Sequence, residues 1–177
     1  MVEKRLDRKV TVILATDVVG YSKHVEENES LTIKTYSSRE VILLNLIEDF
    51  GGRVFNTGGD SVLAEFSSAV DAVECAAAFQ LCIAEINSLP ETECRLEFRV
   101  GVNMGDVVQK DTDLLGDGVN IAARLEAFAQ QNGVCISKSV YDLVASKTDL
   151  AFNDLGPQSV KNNKFHAFDL ILPHTKK

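Results

Sequence analysis

The sequence predicts an α+β protein built on a ferredoxin-like βαββαβ core, with additional C-terminal strands and helices. A β-branched apolar run over residues 10–16 is typical of a buried strand. Long helical patterns over residues 30–50 and 68–88 enclose two short strand patterns, residues 53–57 and 61–66. The resulting order of strand, helix, strand, strand, helix and strand is that of the split βαβ fold.

Local signals support the elements of the first half. Ser30 is predicted to cap the first long helix, and the glycines at 51–52 end it. Gly58-Gly59-Asp60 lies between the two short strands and indicates a hairpin turn. Ser68 begins the second long helix, and Pro90 closes it.

The second half predicts shorter elements. Residues 95–102 alternate as a strand does, and residues 106–110 are expected to pair with them across Gly105. Residues 111–117 are expected to form a polar loop, and residues 118–129 a third helix. The remaining predicted elements are a strand at 134–136, a short helix from Ser139, and two closing strands near 150–155 and 165–172.

The length and charge restrict the classes of protein. A chain of 177 residues fits one domain, predicted over residues 10–172 with terminal tails at 1–9 and 173–177. The formal net charge of −8 repels nucleic-acid phosphate, so we expect no nucleic-acid partner. The sequence contains no apolar run of the roughly 18 residues that a membrane span needs.

The four cysteines do not form a Cys-x-x-Cys pair, which argues against a zinc site. Free cysteines are typical of a reducing compartment, so the predicted location is the cytoplasm.

Two aspartates are candidates for a metal site. Asp17 ends the first strand, and Asp60 lies in the hairpin turn. Neighbouring strands of a ferredoxin-like sheet can bring both carboxylates to one edge, where paired oxygen ligands suit Mg²⁺ shared with a substrate phosphate. The backbone N–H groups of residues 19–22 could hold phosphate oxygens; these residues are Val19, Gly20, Tyr21 and Ser22. Taken singly, each aspartate is also explained as a helix cap or a turn residue.

The third helix carries a second candidate pair. Asn120 and Arg124 are spaced i, i+4 and share a face, beside an expected apolar stripe of Ile121, Leu125 and Phe128. Arg124 could stabilise charge on a phosphorus centre, and Asn120 could fix a sugar. Taken alone, the pair is also explained as a surface arginine and a helix-start asparagine.

Together these segments resemble the catalytic domain of class III nucleotidyl cyclases over residues 9–172. Residues 10–22 are similar to the first metal motif, and residues 56–61 (Asn-Thr-Gly-Gly-Asp-Ser) are similar to the second. Residues 99–108 are similar to the strand pair that follows. Residues 113–126 resemble the base-selecting loop and the transition-state helix.

The resemblance implies an adenylate cyclase that converts ATP to 3′,5′-cyclic AMP and pyrophosphate. It implies that Asp17 and Asp60 hold two Mg²⁺ or Mn²⁺ ions, which assist attack of the ribose 3′-hydroxyl on the α-phosphate. It further implies that Asn120 orients the ribose and that Arg124 stabilises the transition state.

The same resemblance implies substrate contacts and a partner. Asp113 falls at the position that accepts from the adenine amino group, and Lys161 lies near the triphosphate-binding lysine, with Lys164 as the alternative. The family's active sites lie between two subunits, so a homodimer would form two equivalent sites. Regulatory domains or partners outside this chain are also expected.

Asn56 departs from the family pattern, which often has lysine there in adenylyl cyclases and an acidic residue in guanylyl cyclases. Asparagine can donate or accept and does not fix the base by itself. A catalytically weak or inactive nucleotide-binding or dimerisation module is therefore the alternative, with guanylate cyclase a lesser one. Gly58-Gly59-Asp60 also resembles the diguanylate cyclase hairpin, but Ser61-Val62 stands where that family has Glu-Phe.

Overall fold

The computed structural model describes residues 5–175, which form an eight-stranded mixed sheet and five helices. The predicted α+β class is confirmed. The strands are β1 (Asp7–Val18), β2 (Arg53–Gly58), β3 (Ser61–Phe66), β4 (Phe98–Lys110), β5 (Asp113–Leu115), β6 (Val134–Ser137), β7 (Ala151–Val160) and β8 (Asn163–Ile171). The helices are α1 (Tyr21–Glu27), α2 (Glu29–Asp49), α3 (Ala69–Ser88), α4 (Asp117–Phe128) and α5 (Lys138–Val144).

The strand order is β2-β3-β1-β4-β6-β8-β7, and β5 pairs with β4 outside this path. The first four of these strands, with α2 and α3 as the crossovers, form the predicted ferredoxin-like core. β4 and β6 are parallel, whereas the other pairs are antiparallel.

Helices cover both faces of the sheet, which explains why residues 11–16 are buried without interruption. Val12 and Leu14 belong to the main core, which α2, α3 and α5 cover. Ile13 and Ala15 point to the opposite face and pack with residues of α4. No helix of the described residues is long and apolar enough to cross a membrane.

The predicted β2–β3 hairpin and the start of α3 are confirmed. Gly58 pairs with Ser61 across the turn, and Ser68 caps α3 by accepting from the Asp71 N–H. The predicted cap of the first long helix is wrong. The side chain of Asn28 accepts from Leu31 N–H, so α2 begins one residue before Ser30.

The predicted turn at Gly105 is also wrong, because residues 98–110 form one continuous strand. β1 pairs with β4 from Asp7 opposite Gln109 to Val18 opposite Phe98, and Gly105 lies within this ladder opposite Thr11. The pairing partner beyond residue 110 is β5, which occupies part of the predicted polar loop. A long partner strand therefore overrides the local turn preference of glycine.

The same pairing moves the start of β1 into the predicted N-terminal tail, since β1 begins at Asp7. Residues 1–4 of that tail, and residues 176–177 of the predicted C-terminal tail, lie outside the described residues.

Two glycines allow α4 to lie directly against β4. A Cβ atom at Gly101 would overlap the backbone of Ala122 and Glu126, and one at Gly118 would lie 2.7 Å from the Asp106 carbonyl oxygen. Because neither glycine has a side chain, the α4 backbone approaches the strand that carries the residues described next.

Candidate functional site

The two predicted metal aspartates meet at one edge of the sheet. Asp17 lies near the end of β1, and Asp60 lies in the turn between β2 and β3. The Asp60 Oδ2 atom accepts a hydrogen bond of 3.0 Å from Val18 N–H, the residue next to Asp17. This bond fixes the hairpin turn against the end of β1, so the structure brings both carboxylates together.

Two further ionisable residues, Arg99 and Glu126, lie beside this pair. The name acidic edge is used below for Asp17, Asp60, Arg99 and Glu126. Arg99 lies opposite Asp17 in the β1–β4 ladder. Its Nη2 and Nε atoms lie 3.2 Å and 3.4 Å from the two Asp17 carboxylate oxygens. The Glu126 Oε1 atom lies 3.9 Å from Arg99 Nε and has no hydrogen-bond partner among the described residues.

Glu126 is the most perturbed carboxyl group of the acidic edge. It is 7% exposed. Burial, followed by hydrogen bonding and charge repulsion from Asp17, raises the pKa of Glu126 to about 9, against a smaller opposing effect of Arg99. This shift favours the protonated, neutral form of Glu126 at pH 7.

The turn after β1 has fewer free backbone N–H groups for phosphate than the sequence predicts. The Val19 N–H donates to the Glu97 carbonyl oxygen at 2.8 Å, so the prediction that it faces a phosphate is wrong. Gly20 adopts a left-handed conformation with φ of 62° and precedes α1, whose start has no side-chain cap. The Tyr21 ring packs edge-on against Tyr36 at 5.8 Å, while Ser22 is exposed.

The outer face of α4, defined here by Asn120 and Arg124, points away from the sheet. Asn120 is exposed, and Arg124 is partly buried. The Arg124 Nε atom is buried without a hydrogen-bond partner among the described residues. An arginine in this position has donor capacity that its own chain does not use.

The expected apolar stripe of α4 is only partly correct. Leu125 is fully buried, Ile121 is partly buried, and Phe128 is 39% exposed, contacting Phe165 at 6.3 Å between ring centroids. The buried face contains instead the residues nearest β4, namely Gly118, Val119, Ala122, Leu125 and Glu126. Glu126 therefore replaces an apolar residue on the face that packs on the sheet.

Asp113 and Asn56 lie on neighbouring parts of the structure. Asp113 begins β5 and accepts from Leu114 N–H at 2.9 Å, and buried Leu114 anchors that strand. Asn56 is exposed on β2, beside a register irregularity between Val54 and Asn56. Arg53 of β2 donates to the Thr112 carbonyl oxygen at 2.9 Å, which connects β2 with the start of β5.

The two candidate lysines differ in their surroundings. Lys161 is exposed in the β7–β8 turn with φ of 53°. Lys164 lines a cavity of about 480 Å³ between β4, the beginning of α4 and β8. The structure thus brings Lys164, and not Lys161, beside the start of α4.

Arg99 and Glu126 are the charged residues that sequence reasoning missed, although both lie inside quoted motifs. One signal was available for Glu126, because it is spaced i, i+4 from Ala122 and therefore lies on the same helix face as that small apolar residue. Arg99 carried no local signal, since its contact with Asp17 crosses 82 positions of the chain.

The acidic edge fits a metal ion that prefers oxygen ligands. Residues 5–175 contain no group of three or more acidic, histidine or cysteine side chains that could hold a metal ion by themselves. A pair of carboxylates without a third protein ligand is typical of Mg²⁺ that completes its coordination with water and substrate phosphate.

The chain matches a known protein family over nearly its whole length. Residues 2–171 match the model of the adenylate and guanylate cyclase catalytic domain. The chain is 46% identical over 164 residues to "Putative adenylate cyclase 3" of Rhizobium meliloti (strain 1021), covering 92% of this chain and 28% of that protein. It is 30% identical over 135 residues to "Adenylate cyclase" of Streptomyces coelicolor, covering 76% of this chain and 34% of that protein. The chain thus spans about a third or less of the length of these relatives.

Solved structures share the whole fold. A crystal structure described as an adenylate/guanylate cyclase/hydrolase from Silicibacter pomeroyi has a TM-score of 0.87 and 33% identity, covering 95% of this chain and 99% of that chain. The adenylyl cyclase CyaB from P. aeruginosa has a TM-score of 0.81 at 21% identity, covering 97% of this chain and 98% of that chain, a likeness of fold alone.

Proposed function

This chain belongs to the family of adenylate and guanylate cyclase catalytic domains, and on that premise we propose that it converts ATP to 3′,5′-cyclic AMP and pyrophosphate. In this reaction the ribose 3′-oxygen loses its proton and bonds to the α-phosphorus, while the bond from that phosphorus to pyrophosphate breaks. The observation that carries the proposal is the meeting of Asp17 and Asp60 at one sheet edge, with the Val18 N–H holding Asp60 in place.

The acidic edge is the proposed metal site. Asp17 and Asp60 would hold two Mg²⁺ or Mn²⁺ ions, which when bound lower the pKa of the ribose hydroxyl and neutralise phosphate charge. The role of Asp17 and Asp60 is to fix these charges at the end of β1. The uncapped start of α1, over Gly20, Tyr21 and Ser22, follows Asp17 in the turn after β1 and is the proposed site for phosphate oxygens.

The outer face of α4 is the proposed second half of the site. Arg124 would donate to oxygens of the α-phosphoryl group as negative charge develops, and Asn120 would orient the ribose. The unpartnered Nε atom of Arg124 supports this role, because a buried guanidinium donor is costly unless a ligand satisfies it. Lys161 or Lys164 would bind the triphosphate, and the cavity beside α4 favours Lys164.

We propose that these two halves come from different subunits of a homodimer. Arg99 already pairs with Asp17 within one chain, whereas partly buried Arg124 has an Nε donor without a partner among the described residues. A two-fold dimer would bring the outer face of α4 of one subunit to the acidic edge of the other, and it would do so twice.

ATP is the proposed substrate because Asp113 can accept from the adenine amino group, where guanine presents an oxygen. The relatives named adenylate cyclase support this choice. Structures of guanylyl cyclases have the same fold, so the fold does not select the base.

Subunit mixing tests the proposal. The Asp17→Ala and Arg124→Ala proteins should each be inactive or nearly so with Mn²⁺ and ATP. Their equimolar mixture should recover about a quarter of the wild-type cyclic AMP formation, because half the dimers are mixed and each has one intact site. Wild-type activity should also rise more steeply than linearly with protein concentration.

Two outcomes would contradict this proposal in different ways. Mixed dimers that form without recovering activity would exclude the shared site. Nucleotide binding without any cyclic product would favour the alternative, a nucleotide-binding or dimerisation module, for which the neutral Asn56 is the supporting feature.

A further inference from the structure

Arg99 forms an ion pair with Asp17, whose carboxylate is a ligand in the proposed metal site. Its guanidinium donates to both oxygens of Asp17, at 3.2 Å and 3.4 Å. Both side chains are 27% exposed, so water only partly screens the pair. The two contacts place a cationic donor on each Asp17 carboxylate oxygen.

The same guanidinium also contacts the end of α4. Its Nη1 atom donates to the Ala127 carbonyl oxygen at 3.2 Å. Ala127 lies in the last turn of α4, where the helix leaves carbonyl groups without internal partners and favours a positive charge. Glu126 in the same turn lies 3.9 Å from Arg99 Nε. Arg99 therefore ties Asp17 to the C-terminal turn of α4.

A divalent cation at Asp17 would compete with these contacts. It would draw on the same carboxylate lone pairs, and its charge would repel the guanidinium a few ångströms away. We infer that Arg99 is a positioning residue that lowers the affinity of Asp17 for a divalent cation and couples metal binding to the C-terminal turn of α4. This inference rests on the proposed function, because it takes Asp17 and Asp60 as the metal ligands.

Metal binding to the nucleotide-free protein gives the direct test. Mn²⁺ would be titrated into the full chain without nucleotide, and free Mn²⁺ would be measured by electron paramagnetic resonance. Arg99→Gln should tighten Mn²⁺ binding about tenfold, the factor expected for the loss of one competing charge-assisted contact. The Mn²⁺ affinity of Arg99→Lys should lie between those of wild type and Arg99→Gln, since lysine keeps the charge but cannot contact both Asp17 and Ala127.

A matched control is Arg53→Gln. Arg53 also pairs with a carboxylate, Glu65 at 2.9 Å, but it lies at the far end of the β2–β3 hairpin from Asp60. This variant should bind Mn²⁺ as the wild type does. Equal or weaker binding by Arg99→Gln, with folding verified by its melting temperature, would overturn the inference.

Hydrogen exchange supplies a readout that does not depend on a variant being stable. Mn²⁺ should speed exchange of amides in the last turn of wild-type α4, because the tie to Ala127 loosens. Unchanged exchange at saturating Mn²⁺ would contradict the coupling.

The two proposals fail differently. Mn²⁺ binding that is equal in wild type and Arg99→Gln but lost in Asp17→Asn would remove only the role of Arg99. Absence of Mn²⁺ binding without nucleotide in wild type and Arg99→Gln alike would overturn this inference only, because the proposed metal site also uses substrate phosphate as a ligand. Absence of cyclic AMP formation by the wild type with Mn²⁺ and ATP would instead count against the proposed function.

Discussion

The acidic edge and the outer face of α4 differ in how far one chain satisfies their polar groups. At the acidic edge, Asp60 accepts from Val18 N–H and Asp17 pairs with Arg99. On the outer face of α4, Asn120 is exposed and the Arg124 Nε atom has no partner within the described chain. The polar groups of the first region are paired within one chain, whereas the second region keeps a donor, Arg124 Nε, that the described chain does not pair.

This difference has a physical basis in the elements that carry each region. The acidic edge lies where β1 and β4 pair and where the β2–β3 turn contacts the end of β1, so hydrogen bonds between these elements fix it. The outer face of α4 is fixed only through the opposite side of the helix, which packs on β4 through Gly101 and Gly118. If a catalytic site combines these two regions from different subunits, as proposed, its activity would depend on how the two subunits are arranged. That arrangement is an equilibrium that regulators could shift.

Removing a carboxylate of the acidic edge should have the largest effect. Asp17→Asn and Asp60→Asn should each lower cyclic AMP formation by about a thousandfold or more, because each removes a charge that the metal ions need. Turnover with Mn²⁺ and ATP measures this, and Asp142→Asn, an exposed ion-paired aspartate on α5, is the control. Activity within about tenfold of wild type in either variant would show that this aspartate is not needed for catalysis.

Removing the donor on the outer face of α4 should have the next largest effect. Arg124→Ala should lower kcat about a hundredfold with a smaller change in KM, since the contact is proposed to strengthen in the transition state. Lys34→Ala is a suitable control because Lys34 is an exposed cation on α2, which covers the face of the sheet opposite α4. A change confined to KM would make Arg124 a ground-state binding residue instead.

Base selection should respond more modestly. Asn56→Lys should raise the ratio of kcat/KM for ATP to that for GTP about tenfold, because it adds a charged donor on β2 near the start of β5. Competition between the two nucleotides measures the ratio. An unchanged ratio would mean that Asn56 does not contact the base.

The smallest effect concerns the pH dependence of stability. The pKa of Glu126, raised to about 9 by burial and by Asp17, exceeds the value of about 4.3 for an exposed glutamate. Between these values the folded state holds a proton that the unfolded state has released, so the contribution of Glu126 to stability falls as pH rises.

Glu126→Gln should therefore flatten the pH dependence of the melting temperature over about pH 5 to 8. At the alkaline end the variant should melt a few degrees above wild type. The measurement is thermal unfolding in the presence of a chelator, with exposed Glu48→Gln as the control. Parallel curves for wild type and Glu126→Gln would show that Glu126 does not take up a proton on folding.

Much of the fold followed from local signals. The β2–β3 hairpin and α3 with its Ser68 cap were predicted because turn chemistry and helical periodicity act within a few residues. The start of β1 and the length of β4 were not predicted correctly, because the extent of each strand depends on its pairing with the other. Gly105 has the local signature of a turn but lies inside that ladder.

The candidate site divides in the same way. The sequence by itself determined that Asn120 and Arg124 share a helix face, that Asp17 lies at the end of a strand, and that Asp60 lies in a hairpin turn, since these relations need only the local pattern of one or two elements. Only the tertiary structure decided that Arg99 holds Asp17, that Glu126 is buried beside them, and that the Val19 N–H is already bonded to Glu97. Those contacts join residues far apart in the chain, and strand register and close helix packing, rather than local sequence, determine which of them form.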